Sequence, residues 1–439
     1  MRRKAFFFSV LCALATFVAC GTNNNTSTST AILTHRALIS NLTSSRIDIA
    51  DTSRDRLASA ISGDLPGRLL LSNDKKYTLT LSPIDNSVNL IVNANQGIAA
   101  SSSLAGATEG LVMTTDDTLI LGAVPTETAR VGQAPGAVDV VKGTFASNGT
   151  TTSVALVRQP SIYLPGARFV AATPNTNRIF AMADREPNPA NVGGPAGRVW
   201  VLATSLVTTN VQPYTELVST AWDHPVAAVF TADNKTAYIL NCGPECGGTQ
   251  ASVVQLDLSP DPPNAPVVVG QLAIPDGATV GFLNGNTLYV AGSSPSLAGC
   301  ALPCGGMLTL VDLASFAVAS TVSIADGYHD RIALSSNNRL FVGSRGCHFD
   351  QTAGYGCLSL YDIVKMAAKV VPPAQFALPA TGPGNDDVTG MAPIAHRNEV
   401  YVIEAGELII YDTTTGLAKV LETPPNIIGQ GVDVVALDF

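Results

Sequence analysis

The sequence is poor in charged residues, and positive charge is the scarcer sign. Only 13% of its 439 residues are charged, with 25 Lys and Arg against 34 Asp and Glu, which gives a formal net charge of −9. Lys and Arg form no cluster outside the N-terminus. Because binding to a phosphate backbone needs a basic surface, this balance argues against a nucleic-acid-binding protein. A neutral or cationic partner is easier to accommodate than a polyanion.

The sequence also lacks the motifs of several enzyme classes. It contains no GxSxG elbow, no P-loop, no HExxH and no dinucleotide fingerprint that follows a strand and opens a helix. No apolar pattern with helical periodicity persists long enough to predict a substantial helix. What remains is a chain that is 46% apolar, with 38 Gly and 27 Pro, which is typical of many short buried strands joined by tight turns.

A unit of about 50 residues recurs along the chain. In residues 338–365 it consists of a short apolar strand, a loop bounded by two cysteines, and a second strand that ends on Asp362. Equivalent units can be aligned on an aromatic residue, and the aligned positions differ by 58, 51, 52 and 60 residues: Phe180, Tyr238, Tyr289, Phe341 and Tyr401. A repeated all-β module at this spacing predicts an all-β fold of the β-propeller type.

Counting the second strand of each module predicts eight blades. These strands are ALIS, YTLTL, TLILG, RIFAM, TAYIL, TLYVA, RLFVG and EVYVI. Seven blades is the alternative, because turn signals are weak in residues 86–165. There, GAVDVVKG fits either the third strand of one blade or the first strand of another.

The two ends of the repeat array are each incomplete. The first module, residues 37–61, lacks its own innermost strand, and the last residues, GQGVDVVALDF, form an alternating strand without a partner in their own module. We therefore expect Val432 to Leu437 to complete the first blade. Such closure joins the ring and removes two exposed strand edges.

The first module carries a family resemblance. Its predicted strands are Ala37–Ser40, Arg46–Ala50 and Arg56–Ile61, and the order ISN…IDIADT resembles the YVTN-type propeller repeat, in which a YVTN-like strand, a short turn and a VIDT-like strand follow one another. Looser matches follow in LDL, VDL, YDI and YDT. The resemblance implies a propeller fold and leaves the activity open.

The N-terminus has the layout of a secretory signal. Basic residues at positions 2–4 precede an apolar run that ends in FVAC. This ending resembles a bacterial lipobox, which implies that residues 1–19 are removed and that Cys20 is lipidated. Gly21 in the next position fits the pattern of lipoproteins sorted to the outer membrane. An ordinary cleaved signal, with an incidental Cys20, is the alternative.

These features predict an envelope protein in three parts. The signal peptide of residues 1–19 is followed by a polar, disordered tether at residues 20–34 and by a single β-propeller domain at residues 35–439. The lipid anchor would hold the domain at the cell envelope, at the outer membrane, on its periplasmic or its surface side.

Six cysteines of the predicted domain form three sequence-local pairs: Cys242 with Cys246, Cys300 with Cys304, and Cys347 with Cys357. An even number of cysteines in an exported protein predicts disulfides. Zinc is the competing interpretation, because CGPEC and CALPC each offer two thiolates. Disulfides are favoured, because the two cysteines are separated by three residues instead of the two of most zinc knuckles and each pair lies in a different module.

Several polar residues are predicted to meet at one end of the propeller channel. They lie at or beside the start of an innermost strand: His224, His329, Asp330, Asp386, Asp387 and Asp433. The cysteine loops, which join second and third strands, should emerge at the same end. We expect this rim to bind ligands. The alternative is that these side chains cap turns or form ion pairs. The remaining histidines, His35, His348 and His396, are expected to be structural or solvated.

Two functions are compatible with these features. The first is a non-enzymatic binding or scaffold lipoprotein that recognises a protein, a glycan or another envelope ligand and needs no cofactor. The second is a lactonase-like or quinoprotein-dehydrogenase-like enzyme with a metal or cofactor at the channel mouth. In it, His329 would be a base or metal ligand beside Asp330, Asp386 or Asp387, and a divalent cation would be the expected metal.

Overall fold

The computed structural model describes residues 33–63, 67–128, 134–147, 152–294, 305–348, 355–372, 387–419, 427 and 430–438. The predicted signal peptide, Cys20, the tether up to residue 32, the Cys300–Cys304 pair and Asp386 lie outside these residues. In the described part of the chain the regular elements are strands and two short 3-10 segments, Thr204–Leu206 and Gly243–Cys246. No helix in these residues is long and apolar enough to cross a membrane.

The strands of the first half are β1 (His35–Asn41), β2 (Arg46–Asp51), β3 (Arg56–Ser62), β4 (Arg68–Leu71), β5 (Tyr77–Leu81), β6 (Ser87–Val92), β7 (Gly97–Ser103), β8 (Leu111–Met113), β9 (Leu119–Val124), β10 (Ala137–Ser147), β11 (Thr152–Arg158), β12 (Ile162–Tyr163), β13 (Phe169–Ala172), β14 (Arg178–Pro187), β15 (Ala196–Ala203) and β16 (Tyr214–Glu216).

The strands of the second half are β17 (Pro225–Phe230), β18 (Thr236–Asn241), β19 (Ser252–Asp257), β20 (Val267–Ala273), β21 (Val280–Asn284), β22 (Thr287–Ser293), β23 (Gly306–Asp312), β24 (Ala317–Ile324), β25 (Tyr328–Leu334), β26 (Arg339–Arg345), β27 (Leu358–Asp362), β28 (Ala367–Val370), β29 (Val388–Ile394), β30 (Glu399–Glu404), β31 (Glu407–Asp412), β32 (Leu417–Ala418) and β33 (Gly431–Asp438).

These strands form eight antiparallel sheets. Seven sheets have four strands, and the third along the chain has a fifth, because β12 pairs with β10. From the second sheet onward, each takes consecutive strands, β4 to β7, β8 to β12, β13 to β16 and so on to β29 to β32. The first sheet has the order β3-β2-β1-β33. This arrangement is an eight-bladed β-propeller, which confirms the predicted fold class and blade count.

The C-terminal strand closes the ring. β33 pairs antiparallel with β1, with His35 opposite Asp438 and Leu38 opposite Val435. It also packs against β29 of the last blade and β4 of the second. The predicted completion of the first blade by residues 432–437 is therefore confirmed. The segment GAVDVVKG lies in β10, which pairs with β9 and β11 and is the third strand of its blade.

Burial follows the position of a strand in its blade. Second strands such as β18 are buried along almost their whole length, because neighbouring blades cover both faces. The outermost strands β20 and β24 alternate between exposed and partly buried positions. Innermost strands such as β21 are partly buried throughout, because they line the channel. Trp200 and Trp222 are each buried in a hydrophobic cluster, so neither ring is exposed for stacking against a ligand.

Five of the turns between first and second strands share one side-chain hydrogen bond. A Ser or Thr hydroxyl donates to the Asp or Asn two residues later, in Ser72–Asp74, Thr114–Asp116, Thr173–Asn175, Thr231–Asp233 and Ser335–Asn337. The residue after each acceptor has positive φ, at Lys75, Asp117, Thr176, Asn234 and Asn338. Such turns hold the first two strands in register.

Candidate functional site

One end of the propeller gathers two kinds of segment. The chain alternates direction from strand to strand, so the start of each innermost strand and the loop between second and third strands emerge at the same end. We call this end the channel mouth. It is formed by residues 67–68, 108–110, 167–169, 223–225, 276–280, 326–331, 387–389 and 431–433, and by the loops that follow β14, β18 and β26.

Asp330 is the centre of one ion-pair group at the channel mouth. Its Oδ2 lies 2.6 Å from Nη2 of Arg345 and 3.2 Å from Nη1 of Arg331. Arg331 in turn donates from Nε to the carbonyl of Thr389 at 2.7 Å, which links the seventh blade to the eighth. Two buried oxygens beside this network, Oδ1 of Asp330 and Oγ1 of Thr389, have no hydrogen-bond partner among the described residues.

Asp433 ties the closing strand to the second blade. Its Oδ2 accepts a hydrogen bond from the amide of Leu69 at 3.0 Å, and its Oδ1 accepts one from the amide of Val434 at 2.9 Å. Burial raises the pKa of the Asp433 carboxyl, and the charges of Arg331 and Arg68 oppose that rise. Burial also lowers the pKa of Arg68, and the nearby charge of Arg331 acts in the same direction.

Arg168 organises the fourth blade's part of the channel mouth. Its Nη2 lies 2.7 Å from Oε1 of Glu109, and its Nη1 lies 3.1 Å from Oδ2 of Asp184. Tyr328 stands within electrostatic range of Arg168 and Glu109, and burial with the nearby Asp330 raises its pKa to about 12. The phenol is therefore a neutral hydrogen-bonding group at physiological pH.

The loop closed by the Cys242–Cys246 disulfide is held by two carboxylates. Oδ2 of Asp223 accepts hydrogen bonds from the amides of Thr249 and Gln250, at 2.9 and 2.8 Å, while its Oδ1 lies 2.9 Å from Nδ1 of His224. Glu245 reaches out of this loop to the next blade, where its Oε2 accepts from the amide of Ser293 at 2.9 Å. Burial raises the pKa of Glu245 to about 7.

The loop closed by the Cys347–Cys357 disulfide is held in the same manner. The amide of Gly346 donates to Oδ1 of Asp387 at 2.6 Å, and the amide of His348 donates to Oδ1 of Asp326 at 2.8 Å. Burial raises the pKa of Asp387, against the charge of Arg345. Both predicted disulfides within the described residues are therefore confirmed, and carboxylates accept hydrogen bonds from the described residues in and beside the loops that the two disulfides close.

The structure describes five of the six predicted rim residues and places them in three environments. Asp330, Asp387 and Asp433 lie in the connected charge network of the first, seventh and eighth blades. His224 supports the Cys242–Cys246 loop through Asp223. His329 is fully buried, with Nε2 2.9 Å from the carbonyl oxygen of Ala325, and burial lowers its pKa to about 4. Its ring is neutral and is not accessible from the channel. Asp386 lies outside the described residues.

The arginines at the channel mouth are absent from the sequence-based site. Arg68 begins β4, Arg168 directly precedes β13, and Arg331 lies three residues after the start of β25. A signal for them exists in the sequence, because each stands just before a short apolar run, in GRLLL, ARFV and DRIAL. That repeated position of Arg in three blades indicates that their guanidinium groups lie at the same end of the channel.

Comparison with solved structures supports the fold. The dihydro-heme d1 dehydrogenase NirN in complex with DHE is 12% identical, with a TM-score of 0.58 over 91% of this chain and 75% of that chain. Apo AztD from Citrobacter koseri is 13% identical, with a TM-score of 0.54 over 92% of this chain and 97% of that chain. The likeness is one of fold. No protein-family model matches the sequence, and no curated protein shows significant similarity to it.

Proposed function

We propose that this protein is a binding or scaffold module of the bacterial cell envelope that recognises a protein or glycan through its channel mouth. The support is a rigid surface with unused hydrogen-bonding capacity. Oδ1 of Asp330 and Oγ1 of Thr389 are buried beside the arginine network and lack partners among the described residues. A buried polar atom without a partner costs roughly 1–3 kcal/mol. Both atoms are closed to solvent in this structure, so a ligand group would recover this cost by moving the side chains that cover them.

The rigidity of the surrounding loops favours binding further. Two disulfides and the carboxylates of Asp223, Glu245 and Asp387 hold the described parts of two loops, in the fifth and seventh blades, before any ligand arrives. Preorganisation reduces the conformational entropy lost on binding. The mixture of guanidinium and carboxylate groups suits a partner that offers both donors and acceptors, such as a peptide segment or a sugar with amide and carboxylate substituents.

The enzymatic alternative needs a base or metal ligand at the channel mouth. It assigned this role to His329, whose ring is buried and bonded to a backbone carbonyl. A lactonase-like or dehydrogenase-like centre would therefore need other ligands from the channel mouth.

The location in the envelope belongs to the same proposal. It is supported by the resemblance of FVAC to a lipobox, by the resemblance of the first module to YVTN-type repeats, and by the two disulfides, which form in oxidising compartments. The anchor is tested by fractionating cells that express Cys20→Ser. The variant should move from the membrane to the soluble fraction, and retention in the membrane would contradict lipidation at Cys20.

A capture experiment with matched variants tests the binding site. The purified protein is used to capture partners from detergent-solubilised envelopes, and the affinity for the captured partner is then measured. Thr389→Val removes a hydroxyl that has no partner in the described structure, so the fold should be retained while affinity falls roughly five- to tenfold, which is the worth of one hydrogen bond.

Thr413→Val is the control for this experiment. The Oγ1 atom of Thr413 is likewise buried and unpartnered among the described residues, but Thr413 lies in the turn after β31, at the opposite end of the blade. Equal affinity for the wild type and for both variants would contradict a site at Thr389. Absence of any captured partner, together with turnover of a lactone or an electron-acceptor-dependent oxidation by the purified protein, would favour the enzyme.

A further inference from the structure

The end of the propeller opposite the channel mouth carries a second constellation, at the junction between the first and last blades. His35 begins β1, Asp438 ends β33, and His396 lies in the turn between β29 and β30. Antiparallel pairing of β1 with β33 places His35 directly opposite Asp438. Residues separated by 403 positions in the sequence are thus brought together by ring closure itself.

The two histidine side chains converge on one carboxylate oxygen of Asp438. Nδ1 of His35 lies 3.0 Å from Oδ1 of Asp438, and Nδ1 of His396 lies 3.2 Å from the same oxygen. The two imidazole centroids are 4.1 Å apart. One candidate ligand atom from each residue lies within 4.8 Å of the other two. Two imidazoles therefore direct the same nitrogen toward a single carboxylate oxygen.

These distances fit a metal coordination sphere. A tetrahedral ion with bonds of 2.0–2.1 Å to nitrogen and oxygen holds its ligand atoms about 3.3 Å apart. The two measured Nδ1 to Oδ1 distances are within about 0.3 Å of that value, so small rotations of the rings would admit an ion. The side chains are 39%, 31% and 19% exposed for His35, His396 and Asp438, which leaves a route from solvent.

We propose that His35, His396 and Asp438 bind a divalent transition-metal ion of the Zn²⁺ class and that this ion fastens the closed ring. Two imidazoles and one carboxylate suit Zn²⁺ and its neighbours, whereas Mg²⁺ and Ca²⁺ prefer sites made of oxygen. A fourth position remains for water. Because the three ligands meet only when β33 is paired with β1, the ion binds the closed ring and stabilises it by mass action.

Metal titration of the purified, tag-free chain tests the site after treatment with a chelator. The wild type should bind one Zn²⁺ per chain, and its melting temperature should rise with Zn²⁺ but not with Mg²⁺. Loss of a supporting partner in a metal site weakens affinity roughly 10- to 100-fold, and loss of a direct ligand in His396→Ala should cost at least as much. His348→Ala is the control, because it removes an imidazole at the other end of the propeller.

Spectroscopy distinguishes metal binding at this site from metal binding by cysteines. Co²⁺ bound to two imidazoles and a carboxylate should show visible d–d absorption without thiolate-to-metal charge transfer. His396→Gln serves if His396→Ala does not fold, because it retains a hydrogen-bond donor and removes the imidazole ligand. Failure of the wild type to bind Zn²⁺, unchanged binding by the His396 variants, or a thiolate charge-transfer band on the bound Co²⁺ would each overturn the proposal. None of these outcomes bears on capture of a partner by the channel mouth.

Discussion

Glu245 lies in the 3-10 segment Gly243–Cys246, and its carboxylate accepts a hydrogen bond from the backbone of the next blade. Burial is the main cause of its raised pKa, with a smaller contribution from Asp276, while the amide of Ser293 opposes the rise. The position could not be predicted from the sequence. CGPEC marks the cysteines, but nothing in it indicates that the glutamate is buried under a neighbouring module.

The raised pKa predicts that Glu245 makes stability depend on pH. The carboxyl ionises near 4.5 in the unfolded chain and near 7 in the folded one, so the folded state holds the proton more tightly. The contribution of this group to the free energy of unfolding is present below pH 4.5, falls as the pH rises, and is lost above pH 7. The full loss is up to about 3 kcal/mol. Glu245→Gln should therefore be more stable than the wild type at pH 8 and similar to it at pH 4.5.

Urea unfolding at several pH values measures this difference. Asp261→Asn, at an exposed carboxyl, is the control and should leave the pH profile unchanged. A Glu245→Gln variant whose free energy of unfolding follows the wild type at every pH would contradict the assignment.

His329 and Asp330 show why adjacent residues in one predicted cluster separate in the structure. Successive side chains of a strand point to opposite faces, so a channel-facing Asp330 directs His329 into the protein. This part of the placement could have been predicted. The register of β25 then shifts between His329 and Arg331, and this bulge allows Asp330 and Arg331 to meet in one ion pair.

Bulges recur at the start of innermost strands. Register shifts occur between Pro225 and Ala227 in β17, between His329 and Arg331 in β25, and between Val388 and Gly390 in β29. A bulge re-aims one side chain and bends the strand, which positions polar groups around a site. No residue pattern in the sequence predicts these extra positions, so the charge network could not be assembled in advance.

The bulge of β29 makes Gly390 sterically essential. A Cβ atom there would lie 2.8 Å from Cα and Oδ1 of Asp433 in the closing strand. Because the nearest atoms include backbone, Gly390→Ala should force β29 and β33 apart and lower the free energy of unfolding by about 1–3 kcal/mol. Chemical denaturation measures the loss.

Gly97→Ala is the matched control for this substitution. Gly97 begins the outermost strand β7, and the nearest contact of an added Cβ would be the Asn95 side chain at 3.3 Å, which can move. Its cost should stay within about 0.5 kcal/mol. If both alanine variants were equally stable, the close approach of β29 to β33 would not constrain the channel wall.

At the scale of the whole molecule, the fold was largely predictable because the propeller repeats its burial pattern. Each second strand is covered on both faces, which makes it an apolar run such as TAYIL or TLYVA, and counting these runs gives the correct number of blades. The alternating apolar pattern of the C-terminal strand is equally informative, because such a strand needs a neighbouring strand to pair with and none follows it in its own module. The arrangement of the site could not be predicted in the same way, because its groups come from different blades and their positions depend on how the ring closes.

Closure of the ring also makes a prediction about stability. Leu437 of β33 is fully buried in a cluster with Leu38, Ile49 and Leu69, and so joins the first blade to the second. Leu437→Ala should lower the free energy of unfolding by about 2–5 kcal/mol, because it leaves a cavity at this junction. Hydrogen exchange should show the amides of β1 and β33 losing protection together, ahead of those in the fourth and fifth blades.

Leu417→Ala separates closure from a general loss of apolar surface. Leu417 lies on β32, the outermost strand of the last blade, and is 52% exposed, so its truncation should cost no more than about 0.5 kcal/mol and leave exchange at β1 unchanged. If Leu437→Ala lowered stability while β1 and β33 kept their relative protection, the strand pair would not be the point at which the ring opens. Metal binding at His35, His396 and Asp438 would then have no closure to reinforce.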